Sequence, residues 1–475
     1  MLKMPYFLNN NTICALATPQ GASSALGIIR LSGPQAHQIL AKIFRTTSPT
    51  LLPRCVYFGT IYDGERIIDE VLVHIAAAPS SFTGEDTAEI NCHGSPYILQ
   101  EIVRLAMAAG ASPASPGEFT QRAFLNGKID LAQAEAVADI IASENEAAHR
   151  LAMLQMRGGF SQEISNLRSA LVDFASLLEL ELDFSDEDVT FADRPQLLNL
   201  LEQALQTIES LCASFRLGNV IKNGVPVAIV GAPNVGKSTL LNALLGEERA
   251  IVSDIHGTTR DTIEEEITLE GIRFRFIDTA GLRDTNEEIE QLGVMRSYQK
   301  IQSASLLLLV LDASKPECFK EQMQHVATKI DSSTQQVIVV LNKSDICTDN
   351  NIVNNISDIL KEENISFYSI STISAKQKLG IDSLKSILAT AIRSRFDDAK
   401  HIHSSIIISN LRHLHALQEA QKSLSRVRES LTTLLPTDLI VQDLRLVLYE
   451  IGKITGDIAT DEILGNIFAK FCIGK

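Results

Sequence analysis

A chain of 475 residues is too long for one hydrophobic core, and at ~100–200 residues per domain it implies two to four of them. Hydrophobic residues at 45% and charged residues at 21% are usual for folded soluble chains and exclude wholesale disorder. A formal net charge of −16 excludes a protein that coats nucleic acid by neutralising phosphates, so an RNA partner needs a local basic surface or a second subunit.

The longest purely aliphatic run, Leu306 to Leu311, falls far short of the ~20 residues that span a bilayer. The opening MLKMPYFLNNNT has no sustained apolar stretch and does not read as a signal peptide. The cysteines at 14, 55, 92, 212, 318, 347 and 472 include no CxxC pair, so the chain is expected to be reduced and cytoplasmic, with no membrane association. Cys472 is fourth from the end, but Ile473, Gly474 and Lys475 after it match a prenylation box poorly.

In chain order, residues from about 12 to 125 mix short β-type runs with turns. Ala25 to Leu31 and Glu70 to Ala76 read as strands between Gly, Pro and Ser punctuation, predicting an α/β or α+β domain. From Lys128 to about Leu217 the spacing becomes helical, with Leu167, Leu171, Phe174 and Leu178 on one face. Asp183 to Asp188 (DFSDED) is read as a solvated, self-repelling break between helices. Residues 225 to 395 alternate apolar strands (Pro226–Val230, Ser305–Leu311, Gln336–Leu341) with helical segments, the pattern of a parallel sheet covered by helices. After Asn410 the chain is helical again, with Leu411, Leu414, Leu417, Leu424, Val427 and Leu431 on one face. Ile440, Leu444, Val447 and Ile451 form another after Pro436. The economical arrangement is one helical domain built from two chain segments, with the nucleotide domain inserted between them. The expected boundaries are 1–127, 128–223, 224–396 and 397–475.

The chemistry concentrates in the inserted segment. Gly231-Ala-Pro-Asn-Val-Gly-Lys-Ser238 follows a predicted strand and precedes a helical run, the context of a phosphate loop. Glycines let backbone N–H groups turn inward around phosphates, and the helix N-terminus adds its dipole. Lys237 is expected on the β- and γ-phosphates and the Ser238 hydroxyl on Mg²⁺. Asp278-Thr279-Ala280-Gly281, after Phe274 to Ile277, is the expected magnesium and γ-phosphate sensor. Asn342-Lys343-Ser344-Asp345 decides the base. The Asp345 carboxylate can accept from guanine N1–H and the 2-amino group, and adenine has neither donor. Ser374-Ala375-Lys376 would offer a backbone N–H to the guanine oxygen. Together these predict a doubly wound GTPase domain that binds GTP through Asn234, Val235, Gly236, Lys237, Ser238 and Thr239. The loop Ser253, Asp254, Ile255, His256, Gly257, Thr258 and Thr259 belongs to the same site, with Thr259 the candidate to close over Mg²⁺.

Leu282 follows Gly281 where many GTPases carry a water-orienting Gln, and a leucine cannot orient water. Arg283, Asp284, Glu287, Glu288 and Glu290 are candidates for that work, and the residues alone do not choose among them. Carbonyls of the 251–261 segment, with Asn234, could also form an oxygen cage for a monovalent cation.

From near Thr12 to Lys475 the chain resembles the bacterial tRNA-modification GTPase family MnmE, also called TrmE. Outside the GTPase motifs the resemblance rests on Ser81-Phe-Thr-Gly-Glu-Asp86, on Pro116-Gly-Glu-Phe through Ala123-Phe-Leu-Asn-Gly-Lys-Ile-Asp-Leu-Ala-Gln-Ala-Glu135, and on the ending Phe471-Cys-Ile-Gly-Lys475. Ser115 stands where the family pattern leads one to expect a basic residue. The resemblance implies an N-terminal folate-binding domain that also forms a homodimer, with Arg30, Glu89 and Lys128 at the tetrahydrofolate and Lys475 approaching from the C-terminus. It implies a K⁺ site at Asn234, Ser253, Ile255 and Thr258, and assigns the water-orienting acid to Glu290. The implied reaction adds an aminomethyl or carboxymethylaminomethyl group at C5 of the wobble uridine, position 34, of certain tRNAs. A 5,10-methylene- or 5-formyl-tetrahydrofolate would bring the one-carbon unit. The partner MnmG, in a heterotetramer or larger complex, would bring FAD and use NADH; no G-x-G-x-x-G fingerprint occurs in this chain. Cys472 is either a thiolate nucleophile toward uracil C6 or a small residue docking the tail. Two competing readings are a ribosome-assembly-type RNA-binding GTPase, which would carry a basic RNA module, and a stand-alone folate-dependent aminomethyltransferase.

Overall fold

The structure, a computed structural model, describes residues 11–19, 24–48, 50–183, 194–246, 265–277, 304–327, 330, 335–347, 351–363, 365–399, 406–433 and 436–474. The chain divides into two compact units. Unit 1 holds Met1–Ala142, Ala152–Leu201 and Glu419–Lys475; unit 2 holds Ser143–Leu151 and Glu202–Gln418.

Unit 1 opens with β1 (Ile13–Leu16), β2 (Ser24–Ser32), α1 (Ala36–Ile43), β3 (Phe44–Arg45), β4 (Val56–Asp63), β5 (Arg66–Ala76) and β6 (Thr87–Gly94). It continues with α2 (Pro96–Ala108), β7 (Ser112–Pro113) and α3 (Glu118–Leu125). The strands form one sheet in the order β3-β4-β5-β6-β2-β1-β7. Every pairing is antiparallel except β1 with β7, the α+β alternative. The period-2 alternation decides the faces. Ile29, Leu31, Val71, Val73, Ile75 and Ile90 point into a core closed by Ile39 and Leu40 of α1 and Ile102 of α2. Arg30, Glu89 and His74 alternate to the opposite face and share one cross-strand row, with Arg30 opposite Glu89 and Glu89 opposite His74.

Next come α4 (Leu131–Ile141), α5 (Glu146–Met156), α6 (Gly159–Asp183) and α7 (Arg194–Asn223). A capping box starts α4: Asp130 Oδ1 accepts from Gln133 N at 2.8 Å, and Gln133 Oε1 accepts from Asp130 N at 3.0 Å. The stripe read from spacing, Leu167, Leu171, Phe174 and Leu178, is buried along α6. Asp183 is the last residue of α6, and 184–188 of the acidic break lie outside the described residues.

Unit 2 contains β8 (Val225–Val230), α8 (Lys237–Leu245), β9 (Glu265–Leu269), β10 (Ile272–Phe276), β11 (Leu306–Asp312), α9 (Phe319–Ala327), β12 (Gln336–Asn342), α10 (Ile352–Glu362), β13 (Ser369–Thr372) and α11 (Ile381–Ala399). The sheet order is β13-β12-β11-β8-β10-β9, parallel throughout except for the β9–β10 hairpin. A sheet apolar on both faces needs cover on both. Leu306, Leu308 and Val310 of β11 pack with α8 and α11, while Leu307, Leu309 and Leu311 pack with α9 and α10. This is the doubly wound arrangement expected.

The last described helices are α12 (Leu411–Thr432), α13 (Thr437–Thr455) and α14 (Asp461–Phe468). Ile440, Leu444, Val447 and Ile451 are fully buried, and in unit 1 α13 lies against α6, where Arg445 meets Glu179 at 2.7 Å. One expected core position differs. Leu411 is 67% exposed, because the buried stripe of α12 runs through His413, Leu417, Ala420, Leu424, Val427 and Leu431 in alternating steps of four and three. Leu411 lies two residues before that stripe begins and so points off it. Among the described residues, no helix is long and apolar enough to cross a membrane.

Candidate functional site

The carboxyl ends of the parallel strands in unit 2 carry the predicted motifs, where open sheets of this type bind ligands. Leaving β8, the chain passes Gly231 so close to β11 that an added Cβ would stand 2.3 Å from the Val310 carbonyl oxygen. Asn234 and Gly236 take left-handed conformations, at φ +62° and +97°. Gly236 also packs its α-carbon against Asn342, whose Nδ2 would lie 2.2 Å from any Cβ there. Only glycine meets both demands, and this turn aims the first N–H groups of α8 into the loop. Val235 is buried beneath it, Ser238 and Thr239 follow in the first turn, and Leu240 N closes that turn on Gly236 O at 2.9 Å.

Lys237 Nζ donates to the carbonyls of Gly231 and Ala232 at 2.9 and 2.8 Å, so the ammonium sits inside its own loop. Burial pulls its pKa below the ordinary lysine value. Two carbonyls are weak partners for a desolvated cation, and an anion in the loop would satisfy it better.

Asn342 joins the phosphate loop to the base-reading segment. Its side chain is buried, Nδ2 donates to Val235 O at 2.8 Å, and Oδ1 accepts from Ala375 N at 3.0 Å. Within the Ser374-Ala375-Lys376 segment, the Ala375 N–H is thus given to Asn342 in this structure. Lys343, at φ +65°, sends Nζ to Asp312 Oδ2 at 2.6 Å. Asp345 is exposed at the strand end and accepts from Gln377 Nε2 at 3.4 Å. Ser374 is buried and pairs with Leu379 in both directions at 3.0 and 3.1 Å, presenting Lys376 at the exposed turn. The described chain leaves β10 at Ile277, whose N–H donates to Val227 O on β8 at 2.9 Å. Asp278, Thr279, Ala280 and Gly281 lie outside the described residues. So do Ser253, Asp254, Ile255, His256, Gly257, Thr258, Thr259 and Glu290.

Unit 1 assembles the second set of candidates. Arg30 Nε donates to Glu89 Oε1 at 2.7 Å across β2 and β6, and Arg30 Nη1 donates to the Gly474 carbonyl at 3.3 Å. The guanidinium lies 5.8 Å from the Phe82 ring centre and 5.6 Å from that of Phe119, within cation–π range. Lys128 Nζ donates to Pro79 O at 3.0 Å on the 77–86 loop that carries Phe82. Gly474, at φ +95°, leaves no room for a Cβ against Leu16 O, and Gly117 N donates to Cys472 O at 3.3 Å. Phe471 and Phe468 anchor this tail in the core with Leu131 and Leu464. Cys472 itself is exposed, and Lys475 lies outside the described residues.

Beneath that loop is a polar network whose members appear in the family-like motifs but whose role residue chemistry did not reveal. Arg122 is nearly inaccessible and donates to both Glu85 oxygens at 3.2 Å, to Glu118 at 2.8 Å and to Asn11 at 2.9 and 3.0 Å. Ser32 Oγ donates to Glu85 Oε2 at 2.7 Å and shares a 2.7 Å bond with Thr83. A buried guanidinium is tolerated because carboxylates and carbonyls surround it. The network fixes the loop that carries Phe82. Its only sequence signal is an arginine and a glutamate among residues otherwise suited to turns.

Two family models match consecutive stretches of the chain. A family model described as the MnmE helical domain matches residues 131–472, and one described as the GTP-binding protein TrmE N-terminus matches residues 12–128. The tRNA modification GTPase MnmE of Bacteroides thetaiotaomicron is 48% identical over 479 residues, covering 98% of this chain and 100% of its own length. That of Cytophaga hutchinsonii is 49% identical over 471 residues, covering 98% of each chain. The chain belongs to the MnmE family of tRNA-modification GTPases. It is a GTP hydrolase, and membership in the MnmE family displaces the ribosome-assembly alternative. Among solved structures, Era in complex with MgGDPNP and nucleotides 1506–1542 of 16S ribosomal RNA is 28% identical, covering 42% of this chain and 66% of that one at a TM-score of 0.28.

Proposed function

We propose that this GTPase acts on tRNA with its FAD-dependent partner MnmG, installing an aminomethyl or carboxymethylaminomethyl group at C5 of wobble uridine 34. The reading joins the GTP site of unit 2 to a tetrahydrofolate site at Arg30, Glu89, Lys128 and Lys475. The working unit is a cytoplasmic homodimer within a larger complex with MnmG, and the domains run 1–127, 128–223, 224–396 and 397–475.

The observation that carries the nucleotide half is Lys237, desolvated inside a loop that excludes any Cβ at Gly236 and holds the ammonium on carbonyls alone. Mg²⁺ would be held by the Ser238 hydroxyl, next to the lysine in the first turn of α8, with Thr259 as the second protein ligand. Mg²⁺ there would draw negative charge off the β- and γ-phosphate oxygens. Lys237 binds those oxygens, the N–H groups at the start of α8 orient them, and Asp345 reads the base. Glu290 orients the attacking water by accepting its proton-bearing side, the work Leu282 cannot do. K⁺ at Asn234, Ser253, Ile255 and Thr258 would neutralise developing charge in the way an arginine finger does. Asn234 is exposed on the loop, at its left-handed turn. For the folate half, a carboxylate at Glu89 suits the amino-pyrimidinone edge of a pterin, and the cations suit the glutamate tail.

The test is reconstitution with MnmG, tRNA, GTP and 5,10-methylene-tetrahydrofolate, in K⁺ or in Na⁺ at equal ionic strength. Modified uridine is expected only with the folate derivative, and hydrolysis at least about tenfold faster in K⁺, with paired nucleotide domains. Product without folate would sink the one-carbon assignment. Equal rates in both salts would remove the cation mechanism.

A further inference from the structure

An ion pair joins a recognised motif of the nucleotide site, at Lys343, to a residue outside those motifs, Asp312. Asp312 is the last residue of β11 and stands in register with Asn342 of β12. Its side chain is nearly inaccessible, and both oxygens are engaged. Oδ1 accepts the Ser314 N–H at 3.0 Å and the Ser314 hydroxyl at 2.6 Å, and Oδ2 accepts Lys343 Nζ at 2.6 Å. We infer that Asp312 is a positioning residue for guanine recognition, acting by drawing the Lys343 ammonium inward so that the Lys343 stem and the Asp345 carboxylate keep one fixed relation at the base.

Three observations carry this inference. Lys343 adopts a left-handed backbone, costly for a residue with a Cβ, which persists only where surrounding contacts hold it. The ion pair is the side-chain contact that holds it, and Asn342 beside it is fixed at both ends by Val235 and Ala375. Burial works against a charge on Asp312, yet the Lys343 and Ser314 hydrogen bonds outweigh it and keep the carboxyl below its ordinary range. An ammonium committed to Asp312 leaves the lysine's apolar methylenes as the surface it offers a planar ligand. Asp345, two residues on, remains exposed for the polar edge of that ligand. Without the pair, Lys343 regains rotamers, and ordering them falls on the bound nucleotide.

This inference rests on Asp345 reading guanine, and the experiment separates the two. On the full chain, labelled GDP is titrated against Asp312→Asn, Lys343→Ala and the double variant, and hydrolysis is followed at saturating GTP. Asp312→Asn is expected to weaken GDP about tenfold while kcat stays within about twofold, and to add nothing once Lys343→Ala is present. Unchanged affinity, additive losses in the double variant, or a parallel fall in kcat would each overturn it. If Asp312→Asn does not fold, Ser314→Ala removes the hydroxyl bond to the carboxylate and leaves the backbone N–H bond and the charge in place. That variant is expected to weaken GDP about twofold in the parent and not at all beside Lys343→Ala, and equal losses in both backgrounds would overturn the inference. Asp345→Asn, compared on guanine and xanthine nucleotides, is the separate control. An unchanged guanine preference there removes the base reading, whatever Asp312 does.

Discussion

The two candidate sites are built by opposite strategies. In unit 2 the chemistry lies in short contiguous words at strand ends, and local backbone geometry does most of the placing. Gly231 to Ser238 form a cradle because two glycines and one left-handed asparagine bend eight residues around a point. In unit 1 the groups come from β2, the 77–86 loop, β6, α3 and the C-terminal tail, and no two of them are neighbours in sequence. A site made of words fails when a word is misspelled. A site made of distant letters fails when the fold that gathers them loosens.

The sharpest break of that comparison is Lys237→Ala. Removing a desolvated phosphate ligand is expected to weaken GDP and GTP by about 100-fold or more, measured by displacement of a labelled nucleotide. Folate-derivative binding should stay within about twofold, since none of the unit 1 contacts described above involves that lysine. A parallel loss at both sites would mean that the sites are not separately built.

Gly474→Ala tests the other strategy. A Cβ at φ +95° is strained and would stand 2.3 Å from Leu16 O, so the tail must lift from Arg30. The expected result is about tenfold weaker folate-derivative binding with GTP affinity unchanged, read by titrating each ligand in parallel. Unaltered folate binding would remove the tail from the site.

The smallest effect sharpens the picture of that tail. Burial pushes the Cys14 thiol up to about 11 and the Cys92 thiol to about 12, whereas Cys55 and Cys472 are exposed. Thiolates are the reactive species, so iodoacetamide at pH 8 should label Cys55 and Cys472 in the native chain and spare Cys14 and Cys92. A bound folate derivative should slow Cys472 by about twofold or more and leave Cys55 alone, with peptide mass mapping as the readout. Equal labelling of Cys92 would mean that the β-sheet core of unit 1 opens readily.

The same contrast explains what could be read without the structure. The phosphate loop, NKSD and SAK segments were legible because phosphate and guanine each demand particular atoms within a few residues of chain. Asn342 was legible as part of a motif, but not as a strut between Val235 and Ala375, since that needs the spacing of two strand ends. Asp312 follows the apolar run Leu306 to Leu311, and its pairing with Lys343 depends on the β11–β12 register. Arg30 and Glu89 were reached only through family resemblance. Facing each other across an antiparallel ladder is a fact of register, which a single sequence specifies weakly. Leu411 shows the limit on the helical side: apolar spacing found the stripe of α12 but not its first residue, because buried His413 begins it.

The Arg30–Gly474 hydrogen bond spans 444 residues of chain. On a ribosome the sheet of unit 1 is among the first parts to emerge, and the whole nucleotide unit is made before residue 474 follows. The Arg30 site therefore stays unfinished until residue 474 has been made and has left the ribosome. Contacts of such long sequence separation are slow to form, so the nucleotide unit can hold GTP well before its partner site is complete. A nascent chain stalled short of residue 474 would be a competent nucleotide binder whose other site still lacks a wall.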